Sequence, residues 1–262
     1  LGESIGHIGE KELDICFYKA KAQALDGKTK DALATYNAII KYNKDARAYY
    51  LRGDLYMDMG EEKKGRADFE SDVQQGKKNY EIYIGIYESL SRHEKKDEGQ
   101  KYLSAAMEIK GDKPEDELYK GRISYLLGEN KDAISYLEKA KEHKQMLASY
   151  YLGLAYDANG DSDKAKKCIA EYIKSGVATS YDLYELGMQE MQDGNYKNAL
   201  TYFNSGLELE KVPNKQNLMK SAIAAYEYSG DFDSAKKMMK EYLKAYPDDE
   251  EAKHENTFLE TR

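Results

Sequence analysis

Histidine and carboxylate side chains are the groups in this sequence that could do chemistry, and their spacing forms neither a catalytic nor a metal-binding motif. His93 opens the stretch HEKKD, which lacks the second histidine of the HExxH zinc helix. His143 and His254 have no cysteine, histidine or aspartate partner at ligand spacing. A phosphate-binding GxxxxGKS/T loop is also missing, and we expect no GxSxG nucleophile turn. We therefore predict no catalytic residue, no metal and no cofactor, and we predict that the protein is not an enzyme.

Composition limits the classes of partner. The chain has 262 residues, of which 41% are hydrophobic and 34% are charged, and its net charge is −8. Nucleic-acid binding depends on positive surfaces, so nucleic acid is not expected as the main ligand. No apolar run approaches the ~18 residues of a membrane span, so no integral membrane segment is predicted. Two cysteines give no disulfide framework, and the localisation therefore stays open. Because the sequence begins at Leu1 rather than Met, we expect that a segment before it has been removed, and an exported or lipid-anchored protein is an alternative to a cytoplasmic one.

A pattern of small residues recurs along most of the chain. A glycine that suits a tight turn is followed five residues later by a small residue and is usually preceded by another small residue seven positions earlier. The turn pairs are Gly27/Ala32, Gly60/Gly65, Gly128/Ala133, Gly160/Ala165, Gly194/Ala199 and Gly230/Ala235. The preceding small residues are Ala20, Gly53, Gly121, Gly153 and Gly187. This pattern predicts pairs of amphipathic helices with units that start near residues 13, 46, 80, 114, 146, 180 and 216.

The spacing resembles that of the tetratricopeptide repeat, with small residues at its eighth and twentieth positions and an aromatic residue at the eleventh. Tyr56, Tyr156 and Tyr226 match the eleventh position, and Pro247 matches the thirty-second. The resemblance implies an all-α, right-handed α-solenoid of about seven helix–turn–helix repeats over residues 13–249. We expect a flexible lead-in over residues 1–12 and a capping helix, or a frayed tail, over residues 250–262.

The third unit departs from the pattern. It carries SRHEKKDEG where the other units have the turn glycine, so we expect its turn to be longer by one or two residues. Gly85 and Ala106 are expected to mark its two helices. The three prolines, Pro114, Pro213 and Pro247, all fall between units, as expected because proline costs about 3 kcal/mol inside a helix.

Tyrosine is in excess, with 25 tyrosines against 5 phenylalanines and no tryptophan. In the resembled family, positions 2, 5, 9, 12 and 13 of each first helix line a concave groove. Carried over to this sequence, these positions give Phe17, Lys21, Tyr50, Asp54, Met57, Ile82, Ile86, Leu118, Arg122, Tyr125, Tyr150, Leu154, Asp157, Tyr181, Tyr184, Met188, Met191, Lys220 and Glu227. The alternative to an open groove is that such side chains pack against the next repeat.

Tyrosine and methionine suit the recognition of an extended peptide or a helix. We therefore predict a scaffold that binds a protein or peptide in a tyrosine- and methionine-rich groove. The expected contacts are Tyr50, Asp54, Arg122, Tyr125, Tyr150, Tyr181, Tyr184, Met188 and Met191. The family's carboxylate clamp is missing, because its positions in the first two repeats are occupied by Phe17, Lys21 and Leu51. Two alternatives remain, a self-assembling structural module that forms a homo-oligomer and a component of a cell-envelope complex.

Overall fold

The computed structural model describes residues 10–42, 45–111 and 113–262. These residues form fifteen α-helices and no strand. The helices are α1 (Glu10–Leu25), α2 (Thr29–Tyr42), α3 (Ala46–Asp58), α4 (Glu62–Gln75), α5 (Tyr80–Arg92), α6 (Lys96–Met107), α7 (Pro114–Leu127), α8 (Asn130–Glu142), α9 (Leu147–Ala158), α10 (Ser162–Lys174), α11 (Ser180–Gln192), α12 (Tyr196–Leu207), α13 (Lys215–Tyr228), α14 (Phe232–Ala245) and α15 (Glu250–Leu259). The predicted all-α class is confirmed.

Consecutive helices pair into repeats. Across the described ranges there are seven helix–turn–helix pairs, from α1/α2 to α13/α14, and α15 follows the last of them. The chain forms two compact units, which divide between Ile169 and Ala170, within α10. The first unit therefore holds four complete repeats and most of the fifth. The second holds the end of α10, two repeats and α15.

The turn within each repeat is fixed by a residue in the left-handed region. All six predicted turn glycines have positive φ, between 72° at Gly60 and 86° at Gly160. The next residue then donates its N–H to a carbonyl five residues earlier, as Glu61 does to Tyr56 and Asn195 does to Glu190, both at 2.8 Å. This bond satisfies a carbonyl that the helix end would otherwise leave unpaired.

In the third repeat, the prediction of a longer turn is wrong. Three residues separate α5 from α6, the same number that separates α3 from α4. Glu94 occupies the glycine position with φ 61°, and Lys95 donates its N–H to Leu90 O at 2.8 Å. The turn thus keeps the common geometry at the cost of placing a side chain in the left-handed region, roughly 1–2 kcal/mol for a non-glycine residue.

The helices of each pair approach closely where a small residue faces a large one. The Phe203 ring lies directly over Gly187, and the Phe69 ring lies over Gly53. In the third repeat the sizes are exchanged, because Tyr87 stands at the first small position and Gly99 lies against its ring. Gly85 is therefore not the marker that the sequence pattern suggests, although Ala106 is a fully buried residue of α6.

Both ends of the repeat region are clear in the described residues. The first helix begins at Glu10, three residues before the predicted start of the first unit, and residues 1–9 of the predicted lead-in lie outside the described residues. The capping helix predicted after Pro247 corresponds to α15, whose N-cap Asp249 accepts a hydrogen bond from Ala252 N at 3.1 Å. Ala252 and Leu259 are buried in the core that α15 shares with α13 and α14.

Candidate binding faces on the first helices

In the first unit, Tyr50 and Asp54 lie on α3 and are engaged by α5. The Tyr50 ring stacks near Phe69, with centroids 6.3 Å apart, and its edge covers Gly85. Burial, together with the negative charge of Asp54, raises the pKa of Tyr50 to about 12. Asp54 accepts a hydrogen bond from Ser89 Oγ at 2.5 Å and pairs with Arg92. These two predicted contact residues therefore join the second repeat to the third.

Arg122 on α7 is held in a similar way. Its Nη2 lies 2.8 Å from Glu88 Oε1 on α5, and its guanidinium lies 5.4 Å from the centre of the Tyr151 ring on α9. Tyr150 meets Tyr151 edge to face at 5.1 Å. Tyr125 packs against the core of the fourth and fifth repeats, and its burial raises its pKa.

Most other predicted groove positions of the first unit are inside the core. Phe17, Met57, Ile82, Ile86 and Leu118 are each at most 9% exposed. Met57 packs against Gly65 of its own hairpin, and Ile82 packs against Gly76 at the end of α4. Because Tyr87 rather than Gly85 stands at the small position of the third repeat, Ile82 and Ile86 also lie off the family's groove positions. These side chains are therefore better described as core residues than as the lining of an open groove.

In the second unit, the side chains of α11 present a different surface. Tyr181 is 55% exposed, although it belongs to a repeat whose other large apolar residues are packed. Tyr184, Met188 and Met191 are half-buried against the core around Phe203 and Leu218. Ser221 Oγ on α13 lies 3.6 Å from Met188 Sδ, so this face continues onto the seventh repeat. We call Tyr181, Tyr184, Met188 and Met191 the α11 face.

A cavity of about 260 Å³ lies where the seventh repeat meets α15. The predicted groove residues Lys220 and Glu227 line it from α13. The repeat pattern did not indicate the contribution of α15, which adds Glu251 and Glu255. Their i, i+4 spacing places both on one helical face, and this was the available signal.

A cluster of ligand-type side chains was also missed, because Asp54 and Asp58 come from α3 and His93 from the turn that follows α5. Oxygen or nitrogen atoms of Asp54, Asp58 and His93 all lie within 4.8 Å of one another. His93 Nε2 is 3.2 Å from Asp58 Oδ1, while Asp54 is already paired with Arg92. The positive charge of Arg92 opposes a cation at this place, and the arrangement is that of an ion-pair cluster between repeats.

The sequence does contain one GxSxG pattern, GESIG at residues 2–6, which lies outside the described residues. Such a pattern serves catalysis when it joins a strand to a helix, and the described ranges contain no strand. None of the described helices is both long and apolar enough to cross a lipid bilayer.

Comparison with known families identifies the repeats. Two tetratricopeptide repeat family models match the sequence, one over residues 19–76 and the other over residues 147–175 and 216–249. These segments are tetratricopeptide repeats, as the pattern of small residues predicts. Proteins built from these repeats act as protein-interaction scaffolds and are typically not catalysts.

Solved structures share the fold. PilW, a widely conserved type IV pilus biogenesis factor, is 17% identical over 80% of this chain and 97% of its own, with a TM-score of 0.51. The APC/C hetero-tetramer Cut9–Hcn1 is also 17% identical, over 92% of this chain and 48% of its own, with a TM-score of 0.50. At this identity the likeness extends to the α-solenoid fold alone. No curated protein matches the sequence.

Proposed function

We propose that the protein is a scaffold that holds an extended or helical segment of a protein partner against the inner faces of its first helices. The α11 face is the main contact. The observation that carries this proposal is the 55% exposure of Tyr181 next to three half-buried tyrosine and methionine side chains. A rigid ring with a polar tip beside flexible thioethers suits a partner segment with apolar side chains.

The contrast between the two units supports this choice. In the first unit, the predicted contacts Asp54 and Arg122 are paired with residues of the next or previous repeat, so a partner would have to compete with them. On the α11 face, the half-buried side chains rest on an apolar core, and their outer sides are accessible. Docking there removes apolar surface from water without breaking an ion pair.

The test is to introduce a photo-crosslinking phenylalanine analogue at Tyr181 in the intact chain within its native cells. We expect one predominant crosslinked protein. Its affinity, measured with the purified components, should fall about 30-fold on Tyr181→Ala, which corresponds to about 2 kcal/mol for a tyrosine at the centre of an interface. Because Tyr181 is exposed, circular dichroism should show an unchanged helix content.

The matched control is Tyr18, which is 75% exposed on α1 in the first unit. The analogue at Tyr18 should give no such crosslink, and Tyr18→Ala should leave the affinity unchanged. Equal crosslinking from both positions, or binding that is indifferent to Tyr181→Ala, would refute the α11 face as the contact. The homo-oligomer and cell-envelope alternatives stay predictions; a crosslink from Tyr181 to a second copy of the chain would favour the former.

A further inference from the structure

The cavity beside α15 is built differently from the α11 face. Its apolar walls are Ile223, Met239, Tyr242 and Ala252, all buried, and Ala224 completes the α13 side. Its volume of about 260 Å³ is far above the ~10–15 Å³ that one water molecule requires on the same measure. It therefore has room for one long side chain. Such walls match an aliphatic stem.

The charge around this cavity is negative and incompletely neutralised. Its lining includes one cationic side chain, Lys220, and three carboxyl groups, those of Glu227, Glu251 and Glu255. Lys220 Nζ lies 2.8 Å from Asp249 Oδ2 and 3.7 Å from Glu251 Oε2, so its charge is directed toward these groups. Glu227 and Glu255 are left beside each other without a cation of their own among the described residues.

Glu227 is the most constrained of these groups. Its Oε1 is buried and has no hydrogen-bond partner in the described part of the chain. Burial, the nearby charge of Glu255 and a side-chain hydrogen bond shared with Glu255 raise the pKa of Glu227 to about 7, so only its Oε1 is left without a partner. A buried polar atom without a partner costs free energy, and an incoming donor would recover it.

We propose that this cavity binds an arginine side chain of the partner segment. The stem of the arginine would lie along Ile223 and Met239, and its guanidinium would meet Glu227 and Glu255. Arginine fits better than lysine because its planar group offers several donors to two carboxylates at once and is weakly hydrated. The inference rests on the proposed function, since Lys220 and Glu227 lie on α13, onto which the α11 face continues through Met188 and Ser221.

The test uses the full chain and a small probe, so that it does not depend on finding the partner. Capped arginine (N-acetyl-arginine N-methylamide) is titrated while the methyl resonances of Met239, Ile223 and Ala252 are followed by NMR. Capped citrulline has nearly the same shape but no charge, and it serves as the matched probe. We expect saturable shifts with arginine and binding roughly 10- to 100-fold weaker with citrulline, the loss expected for a charge-assisted hydrogen bond.

Variants complete the experiment. Glu227→Gln should weaken arginine binding by at least about tenfold while the protein stays folded, because the substitution removes a poorly solvated charge. Glu241→Gln removes an equal charge from an exposed position on α14 and should change nothing. Equal binding of arginine and citrulline, or no shift at all, would overturn the proposal, as would unchanged arginine binding by Glu227→Gln. Crosslinking from Tyr181 would be unaffected by these outcomes, so failure of the cavity is distinct from failure of the α11 face.

Discussion

Replacing Asp72 should stabilise the protein at neutral pH. Asp72 lies on α4, has no exposed surface, and neither of its carboxylate oxygens has a hydrogen-bond partner among the described residues. Burial, reinforced by the negative charges of Asp45 and Asp68, raises its pKa from 3.8 to about 7. The equivalent residues of the third and fourth repeats are the buried alanines Ala106 and Ala140.

The sign and the size of the effect follow from proton linkage. Because the folded state holds the Asp72 proton more tightly than the unfolded state, folding is favoured at low pH, and that stability is lost as the pH rises from about 3.8 toward 7. A rise of about three pKa units corresponds to roughly 4 kcal/mol as an upper limit. Asp72→Ala removes this penalty but also removes some packing, which costs about 1 kcal/mol.

The assay is urea denaturation followed by circular dichroism at pH 4 and pH 7.5. Asp72→Ala should gain about 2–3 kcal/mol over the parent protein at pH 7.5 and little or nothing at pH 4. Asp68→Ala is the control, since Asp68 is also buried but is bonded by Arg52 at 2.6 and 2.7 Å, and its loss should destabilise the protein at pH 7.5. Parallel pH profiles for Asp72→Ala and the parent protein would show that the carboxyl is not held protonated.

Two further predictions concern the turns and close approaches. Gly187→Ala would place a methyl group against the Phe203 ring and should destabilise the second unit by about 1–3 kcal/mol in thermal denaturation. Gly206→Ala, whose methyl group would lie 3.1 Å from Leu218, should destabilise it less. Equal destabilisation by the two substitutions would contradict the packing argument. Glu94→Gly should stabilise the first unit by about 1 kcal/mol because it removes a side chain from a backbone position in the left-handed region. Lys95→Gly at the next position, where φ is −113°, should not stabilise it. A loss of stability on Glu94→Gly would refute the backbone strain.

The repeats could be predicted from sequence because their constraints are local. A turn glycine, a small residue before it and a small residue after it all lie within one hairpin. These residues correctly predicted the two helices that are joined at Gly60, at Gly160 and at Gly194. The third turn was predicted wrongly because it lacks the local glycine signal. A glycine is favoured in the left-handed region but is not required there, so SRHEKKDEG could not be recognised as an ordinary turn from residue types alone.

The binding faces were less predictable because exposure depends on neighbouring repeats. The family positions gave Leu118 and Tyr181 the same status, yet Leu118 is only 9% exposed and Tyr181 is 55% exposed. Which of them meets solvent depends on how closely the next first helix approaches, and this is a property of side chains about 34 residues away. The cavity beside α15 depends in addition on a helix that lies outside the repeat pattern.

The exchange of sizes between Tyr87 and Gly99 bears on how such a gene can be rearranged. A duplication or transfer that moves α5 and α6 together carries the matched pair with it. A crossover between them would join α5 to a second helix such as α8, whose Ala133 would stand where Gly99 makes room for the Tyr87 ring. In this protein the heritable module is therefore the hairpin, and a recombination point falls more safely between repeats, where Pro114, Pro213 and Pro247 already interrupt the helices.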